Sequence, residues 1–344
     1  MNITMIDDSY AFDGATPGLR ALGGAEKAFV HLSSALAVRG HSVTVINRCE
    51  YQSSVEGVLW VPFNTPRPPD NDVIIAFRKP ELLTEFEDNS SNSIVWLWGN
   101  PEILNQPANQ KILERHNPAI VFSSNVQRCS WNSWRDFKEV TILPGVAASY
   151  INSTPPEKVP PPVAIITTHP LHGLKEILHL WKTRIHPEVK LAELHLYSAS
   201  LYSGKVGLKL QKIYSEVTVA QVKNVIVKQP VSDRDMAEAY CQARLHLYPV
   251  ITTEYYGSTL AESQACGTPA VIFKGNADPG FVQERISEGQ TGYIAPDDNA
   301  FVNLTIQLLS KDPIMYRSLS RDAKTLKSTR GWQNAAIEFE NLWE

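Results

Sequence analysis

Two glutamates, Glu254 and Glu262, bracket the short run Gly257, Ser258, Thr259 and Leu260. The apolar stretch 245–250 predicts a strand leading into this segment, and Gly257 predicts a turn before a helix that opens near Ser258. That order places Glu254 near the C-terminal end of a strand and the N–H groups of residues 257–260 at a helix N-terminus. Such an end offers unpaired donors and about half a positive charge to an anion, so a diphosphate can sit there without a metal. Glu262 falls on the same helix face as Ser258, one turn in, where its carboxylate can accept hydrogen bonds from vicinal hydroxyls such as those of ribose. One short element is thereby expected to hold both ends of a nucleotide-diphosphate sugar.

The elements that must position this segment recur along the chain. Residues 2–6 read as a short buried strand. A polar, glycine-rich loop then runs to Gly23-Gly24, and a helical pattern covers 25–39, with Phe29, Leu32 and Leu36 on one face and Gly40 as its stop. Strand candidates follow at 42–47, 73–76, 94–97, 119–122 and 140–143, the βαβ rhythm of a parallel sheet. The clearest break is residues 152–162, whose proline density excludes a helix or central strand and predicts an extended interdomain linker. Beyond it the rhythm restarts, with strands at 163–166, 193–197, 225–227, 245–248 and 269–273 and helices at 174–181, 233–242 and around 260–266. The expected architecture is α/β, with two Rossmann-like, doubly wound parallel-sheet domains. The first covers 1–151, the linker 152–162 and the second domain 163–330, with a last helix in 331–344. Ligands of such sheets bind beyond the carboxyl ends of the strands, so the cleft between the domains is the expected site.

Bulk composition narrows the class. A chain of 344 residues is long enough for two cores of ordinary size. Its 43% hydrophobic and 20% charged residues suit a soluble globular protein, and no apolar run approaches the roughly 20 residues a membrane span requires. The start of the sequence lacks the basic opening and cleavage site of a signal peptide, so a cytoplasmic location is expected. Cys49, Cys129, Cys241 and Cys266 lie far apart without a CxxC pair, which predicts reduced thiols and neither a disulfide framework nor a zinc site. A net charge of −4 without a basic stripe argues against nucleic acid as a partner. The acidic excess sits mainly in the N-terminal half, so any peripheral contact with a membrane is expected through a local patch.

Glu254-x7-Glu262, followed by Ala265-Cys266-Gly267-Thr268-Pro269-Ala270-Val271, resembles the EX7E block of retaining GT-B glycosyltransferases, especially glycosyltransferase family four. The similarity extends to Gly23-Gly24-Ala25-Glu26, Leu143-Pro144-Gly145-Val146, Pro170-Leu171-His172-Gly173-Leu174, Gly292-Tyr293-Ile294 and Gly331-Trp332. It thus spans nearly the whole chain, with the EX7E block as its specific part. The resemblance implies a GT-B fold whose last helix crosses back onto the N-terminal domain. It also implies transfer, with retention, of a sugar from a UDP- or GDP-linked donor to a glycan or glycolipid acceptor, with neither a metal nor another cofactor. By that similarity Glu254 binds donor sugar hydroxyls, Glu262 the ribose, and the amides of Gly257, Ser258, Thr259 and Leu260 the phosphates. Backbone around Val231 frames the base. Gly23 and Gly24 lie across the cleft, where missing side chains let backbone approach the diphosphate or the acceptor. In this class the departing diphosphate helps deprotonate the acceptor during a same-face displacement, so leaving-group stabilisation matters more than a protein nucleophile.

Three stretches depart from the pattern. Relatives place an Arg and, shortly after it, a Lys beyond the first C-terminal strand. Here residues 167–172 read Thr-Thr-His-Pro-Leu-His, so His169 and His172 are expected to stand in, each only partly charged near neutral pH. The usual N-terminal histidine gives way to Trp98-Gly99-Asn100, and Trp98 and Asn100 are read as lining the acceptor side. The Gly-Phe that usually follows the first glutamate is Tyr255-Tyr256. Arg128, just past the strand at 119–122, is placed toward the acceptor side, with a surface salt bridge as its competing fate. Glu26 reads as a helix-start residue. The missing cations raise an alternative, a catalytically silent subunit that binds nucleotide sugar or glycan. A GT-B sugar-nucleotide epimerase ranks below both, because the match to family four is more extensive. A dinucleotide oxidoreductase would need G-x-G-x-x-G where residues 7–12 read Asp-Asp-Ser-Tyr-Ala-Phe. The motif leaves the sugar, base, acceptor and oligomeric state open.

Overall fold

The computed structural model describes residues 1–86, 92–218, 224–251, 253–275, 280–310 and 313–343. The chain divides into two compact units, Met1–Gly145 with Arg330–Glu344, and Val146–Thr329.

The first unit is built on eight strands: β1 (Asn2–Ile6), β2 (Ser42–Asn47), β3 (Ser53–Val55), β4 (Val58–Pro62), β5 (Val73–Phe77), β6 (Asn92–Trp96), β7 (Ala119–Phe122) and β8 (Glu139–Thr141). Their order is β3-β4-β2-β1-β5-β6-β7-β8, parallel throughout except for β3 with β4. All five residues of β5 are buried, as in a parallel strand covered on both faces. The β3–β4 hairpin was not among the expected strands. Its turn residues Glu56 and Gly57 have φ of +49° and +80°, the left-handed pair of a type I′ turn.

Helix α1 (Gly24–Val38) buries Phe29, Leu32 and Leu36, the face its periodicity marks. The C-terminal helix (Trp332–Glu340) also belongs to this unit. Phe339 lies 5.3 Å from Trp96, and Arg39 Nε donates to Glu340 Oε1 at 2.6 Å. Gly145 makes the approach possible, since a Cβ there would stand 2.5 Å from the Trp332 amide nitrogen.

The second unit carries β9 (Val163–Ile166), β10 (Glu193–Tyr197), β11 (Val225–Lys228), β12 (Leu245–Pro249), β13 (Ala270–Phe273) and β14 (Gly292–Ala295). They form one parallel sheet in the order β11-β10-β9-β12-β13-β14. The helices that matter to the site are α2 (Leu174–Leu180), α3 (Asp233–Gln242), α4 (Ser258–Ala265), α5 (Val282–Arg285) and α6 (Pro313–Lys327). The progression of strand order reverses between the parallel neighbours β9 and β12, so their C-terminal ends frame the switch point where ligands of such sheets bind.

The expected boundary near residue 151 shifts to 145|146, and residues 152–162 lie on the second unit. Hydrogen bonds explain the shift. Lys324 Nζ on α6 donates to Ile151 O at 2.6 Å and to Ala265 O at 2.7 Å. Tyr150 Oη donates to Asp233 Oδ1 at 2.8 Å, and Arg244 Nε to Pro160 O at 3.0 Å. Proline density predicts extended backbone, but those donors decide which surface the extended segment follows. Among the described residues no helix is long and apolar enough to cross a membrane.

Candidate functional site

Glu254 is half-buried beyond the end of β12, and both of its carboxylate oxygens are engaged. Tyr248 Oη donates to Oε2 at 2.6 Å, and His172 Nδ1 lies 3.3 Å from Oε1. Burial, and then the Glu254 charge, push the Tyr248 phenol well above its ordinary value, so it stays a donor. His172 reaches Glu254 because Gly173 turns the chain with φ +109°. A Cβ on Gly173 would lie 2.8 Å from Pro249 Cβ and 3.0 Å from Ile251 Cγ2, so the loop after β9 rests directly on the exit of β12. The His169 and His172 rings are 5.5 Å apart. Burial, with a smaller push from His172, lowers the His169 pKa and favours its neutral form. Thus Glu254, His169 and His172 meet at the switch point of the second sheet.

Helix α4 starts at the same place. Gly257 is its N-cap and supplies no side-chain cap, so the first-turn amides of Ser258, Thr259 and Leu260 have no intrahelical acceptor. A Cβ on Gly257 would stand 2.5 Å from Phe281 Cζ and 2.8 Å from Tyr248 Oη. Glu262 is buried one turn further in. After burial itself, its charge is the largest influence raising the pKa values of Tyr150 and Tyr240. Val231, half-buried, packs at the margin of the same apolar cluster as Tyr197 and Tyr256. A separate cavity of about 930 Å³, lined in part by Lys175, His179, Lys182, Ile251 and Gly275, takes in neither glutamate.

Beneath this site lies a residue that sequence reading passed over. His246, on β12, is fully buried, with Nδ1 2.7 Å from Ser263 Oγ of α4 and Nε2 3.2 Å from Thr167 Oγ1 of the loop after β9. It therefore ties together the two segments that carry the site. A polar side chain inside the apolar run 245–250 was the available signal. Burial lowers its pKa to about 3. Between that value and the unfolded value of 6.5 the unfolded chain binds the extra proton, so stability is lost as pH falls through this window. The limit is about 1.4 kcal/mol per pH unit. His246→Phe is expected to flatten the acid limb of a urea-denaturation series relative to the unsubstituted protein, whereas parallel limbs would show that His246 does not titrate this way.

The first unit holds a second polar group at the ends of β1 and β5. Arg78 Nη2 donates to Glu26 Oε1 at 2.9 Å and lies 3.1 Å from Asp7 Oδ1, and it also donates to Ser9 Oγ at 2.6 Å. Glu26 is therefore the partner of Arg78, more than the helix-start residue its position suggested. Gly23 is the N-cap of α1 and Gly24 its first residue; a Cβ on Gly23 would collide with the Glu26 carboxylate. Arg78 has φ +71°, a left-handed conformation uncommon outside glycine.

Each of the three residues expected on the acceptor side has a partner within the first unit. Trp98 packs 5.9 Å from both Phe77 and Trp96, and Asn100 Oδ1 accepts from Glu102 N at 3.0 Å as a local cap. Arg128 Nε lies 3.5 Å from Glu139 Oε2, the competing surface pairing. Among the described residues no group of three or more His, Cys, Asp or Glu is placed to hold a metal ion.

Comparison with known proteins adds the relatives of this arrangement. Residues 165–311, which contain Glu254 and Glu262, match the model of the family Glycosyl transferases group 1. Over 136 residues, 39% of the chain, the protein is 27% identical to D-inositol 3-phosphate glycosyltransferase of Streptomyces bingchenggensis, and that alignment spans 28% of the relative. Among solved structures, HepE of Anabaena in complex with UDP and glucose is similar with a TM-score of 0.73 at 13% identity, over 99% of this chain and 98% of the other. Sucrose-phosphate synthase of Thermosynechococcus elongatus gives 0.72 at 15% identity, with the same coverage. The fold is GT-B. In this GT-B chain the family match falls within the second unit, the one whose switch point gathers Glu254, His172 and the start of α4.

Proposed function

We propose that this protein is a retaining glycosyltransferase of family four type, moving a sugar from a UDP- or GDP-linked donor to a glycan or glycolipid acceptor. The observation that carries this reading is the pairing of an uncapped helix start with two carboxylates of different setting. Glu254 is held by Tyr248 and His172, and Glu262 is buried one turn into α4. The amides at 257–260 take the diphosphate, Glu262 the ribose hydroxyls and Glu254 the transferred sugar. Val231 borders the base and His169 adds polar contact beside the phosphates. Gly23 and Gly24, lacking side chains, let backbone approach the diphosphate or the acceptor.

In the reaction the bond from the anomeric carbon to the diphosphate oxygen breaks and the acceptor oxygen bonds to the same face. The acceptor proton passes to the departing phosphate oxygen. Donors aimed at the charge that develops on that oxygen supply the main stabilisation, and the reading calls for no divalent ion.

Support comes from the family match over residues 165–311 and from the GT-B neighbour that binds UDP and glucose. Transfer and hydrolysis assays with UDP- and GDP-sugars, with chelator present, test it. Sugar transfer with retained anomeric configuration is expected. Donor binding without transfer to any acceptor would instead favour the silent-subunit reading, which the missing Arg and Lys after β9 motivate. Interconversion of donors alone would point to an epimerase.

A further inference from the structure

A diphosphate leaving group calls for positive charge, and the loop after β9 offers only His169 and His172. The structure supplies a permanent cation from another element. Phe281 and Arg285 stand one turn apart at α5 and cover consecutive residues at the entry to α4. The Phe281 ring closes on Gly257, and the Arg285 guanidinium lies 4.4 Å from the centre of the Tyr256 ring. The positive charge of Arg285 opposes the upward push of burial and of Glu254 on Tyr248, so it lies within the field of the Tyr248–Glu254 pair. Lys327 of α6 is half-buried and feels the charge of Arg285. After burial, the charge of Arg285 is what lowers its pKa.

Both cations are half-buried, and among the described residues neither pairs with a carboxylate. Nη2 of Arg285 is buried, and among the described residues it has no hydrogen-bond partner. A buried donor without an acceptor is costly, as is a second positive charge within its field, and one incoming anion relieves both. A guanidinium fixed over an aromatic face keeps its other N–H groups in a rigid fork suited to phosphate oxygens.

We infer that Arg285 is the permanent cation of this site and binds a phosphate of the nucleoside-diphosphate donor, with Lys327 adding to the same field. The inference rests on the donor reading above and goes beyond it by naming the residue that replaces the missing Arg and Lys.

Calorimetric titration of UDP, GDP, uridine and guanosine into the unsubstituted protein, Arg285→Gln and Arg285→Lys tests it. Arg285→Gln is expected to weaken the preferred diphosphate by about 10- to 100-fold, the range for hydrogen bonds to charged groups. The matching nucleoside is expected to bind unchanged, and Arg285→Lys to fall between. The diphosphate affinity of the unsubstituted protein should also depend more steeply on salt than that of Arg285→Gln. A well-folded Arg285→Gln that binds the diphosphate as tightly as the unsubstituted protein overturns the inference, as does equal loss for nucleoside and diphosphate. Should that variant lose its cooperative melt, Lys327→Gln decides, and undiminished diphosphate affinity there overturns it. If the unsubstituted protein binds neither diphosphate, the donor reading falls and this inference with it.

Discussion

Glu254→Gln is expected to lower sugar transfer by about 10²- to 10³-fold, the loss typical when one preorganised electrostatic contact at a reacting centre is removed. The substitution keeps the shape and the acceptor for Tyr248, whose hydroxyl donates to Oε2 at 2.6 Å, so the β12 exit should hold. What disappears is the charge beside His172 and, on the proposed reading, beside the sugar, where a transition state of oxocarbenium character needs it. Melting temperature should change little, because Glu254 is half-buried and its second contact, at 3.3 Å to His172, is partly exposed. Steady-state kinetics with the preferred donor check the prediction. A variant retaining most of its kcat would mean that Glu254 only supports the loop.

Gly257→Ala should damage both fold and function. The added Cβ would meet Phe281 Cζ at 2.5 Å and Tyr248 Oη at 2.8 Å, separations that real side chains do not tolerate. Relief requires the Phe281 ring to move, the start of α4 to shift, or Tyr248 to leave Glu254. Overpacking of this kind costs about 1–3 kcal/mol, which a urea melt can read. A 1 Å displacement of donors from a reacting group can cost on the order of 10²-fold in rate. Transfer is therefore expected to fall by about that factor even where the variant is fully folded. Unchanged stability and kinetics would show that the Gly257 turn has slack.

The two-domain parallel-sheet architecture was largely legible because βαβ rhythm and buried parallel strands leave strong local patterns. The β3–β4 hairpin left a weaker trace, because Glu56 takes the left-handed φ that Asn or Asp would have signalled and Ser53-Ser54-Val55 is a short, polar strand. The residue 152–162 boundary was misplaced because proline density encodes backbone shape, while partners as distant as Lys324 and Arg244 decide where that backbone lies.

Within the site, the spacing of Glu254, Gly257 and Glu262 needs only one strand exit and one helix. It could be read directly. The contact of His172 with Glu254 could not, because it depends on the left-handed Gly173 pressing one loop onto another strand. Tyr248 and His246 looked like core positions of an apolar strand, and only the fold shows their polar atoms reaching Glu254, Ser263 and Thr167. Arg285 carried no motif at all, and its proximity to Tyr256 is purely tertiary. Arg78 did leave a trace, as a cation placed immediately after the buried run of β5.

The division of labour between the two glutamates can be measured in one calorimetric comparison of free nucleotide with nucleotide sugar. Glu262→Ala is expected to weaken free UDP or GDP and the nucleotide sugar alike, because it removes the proposed ribose contact. Glu254→Gln should leave the free nucleotide unchanged and erase only the additional affinity contributed by the sugar. Nucleotide affinity insensitive to Glu262→Ala, or sugar-dependent affinity insensitive to Glu254→Gln, would contradict the proposed donor site.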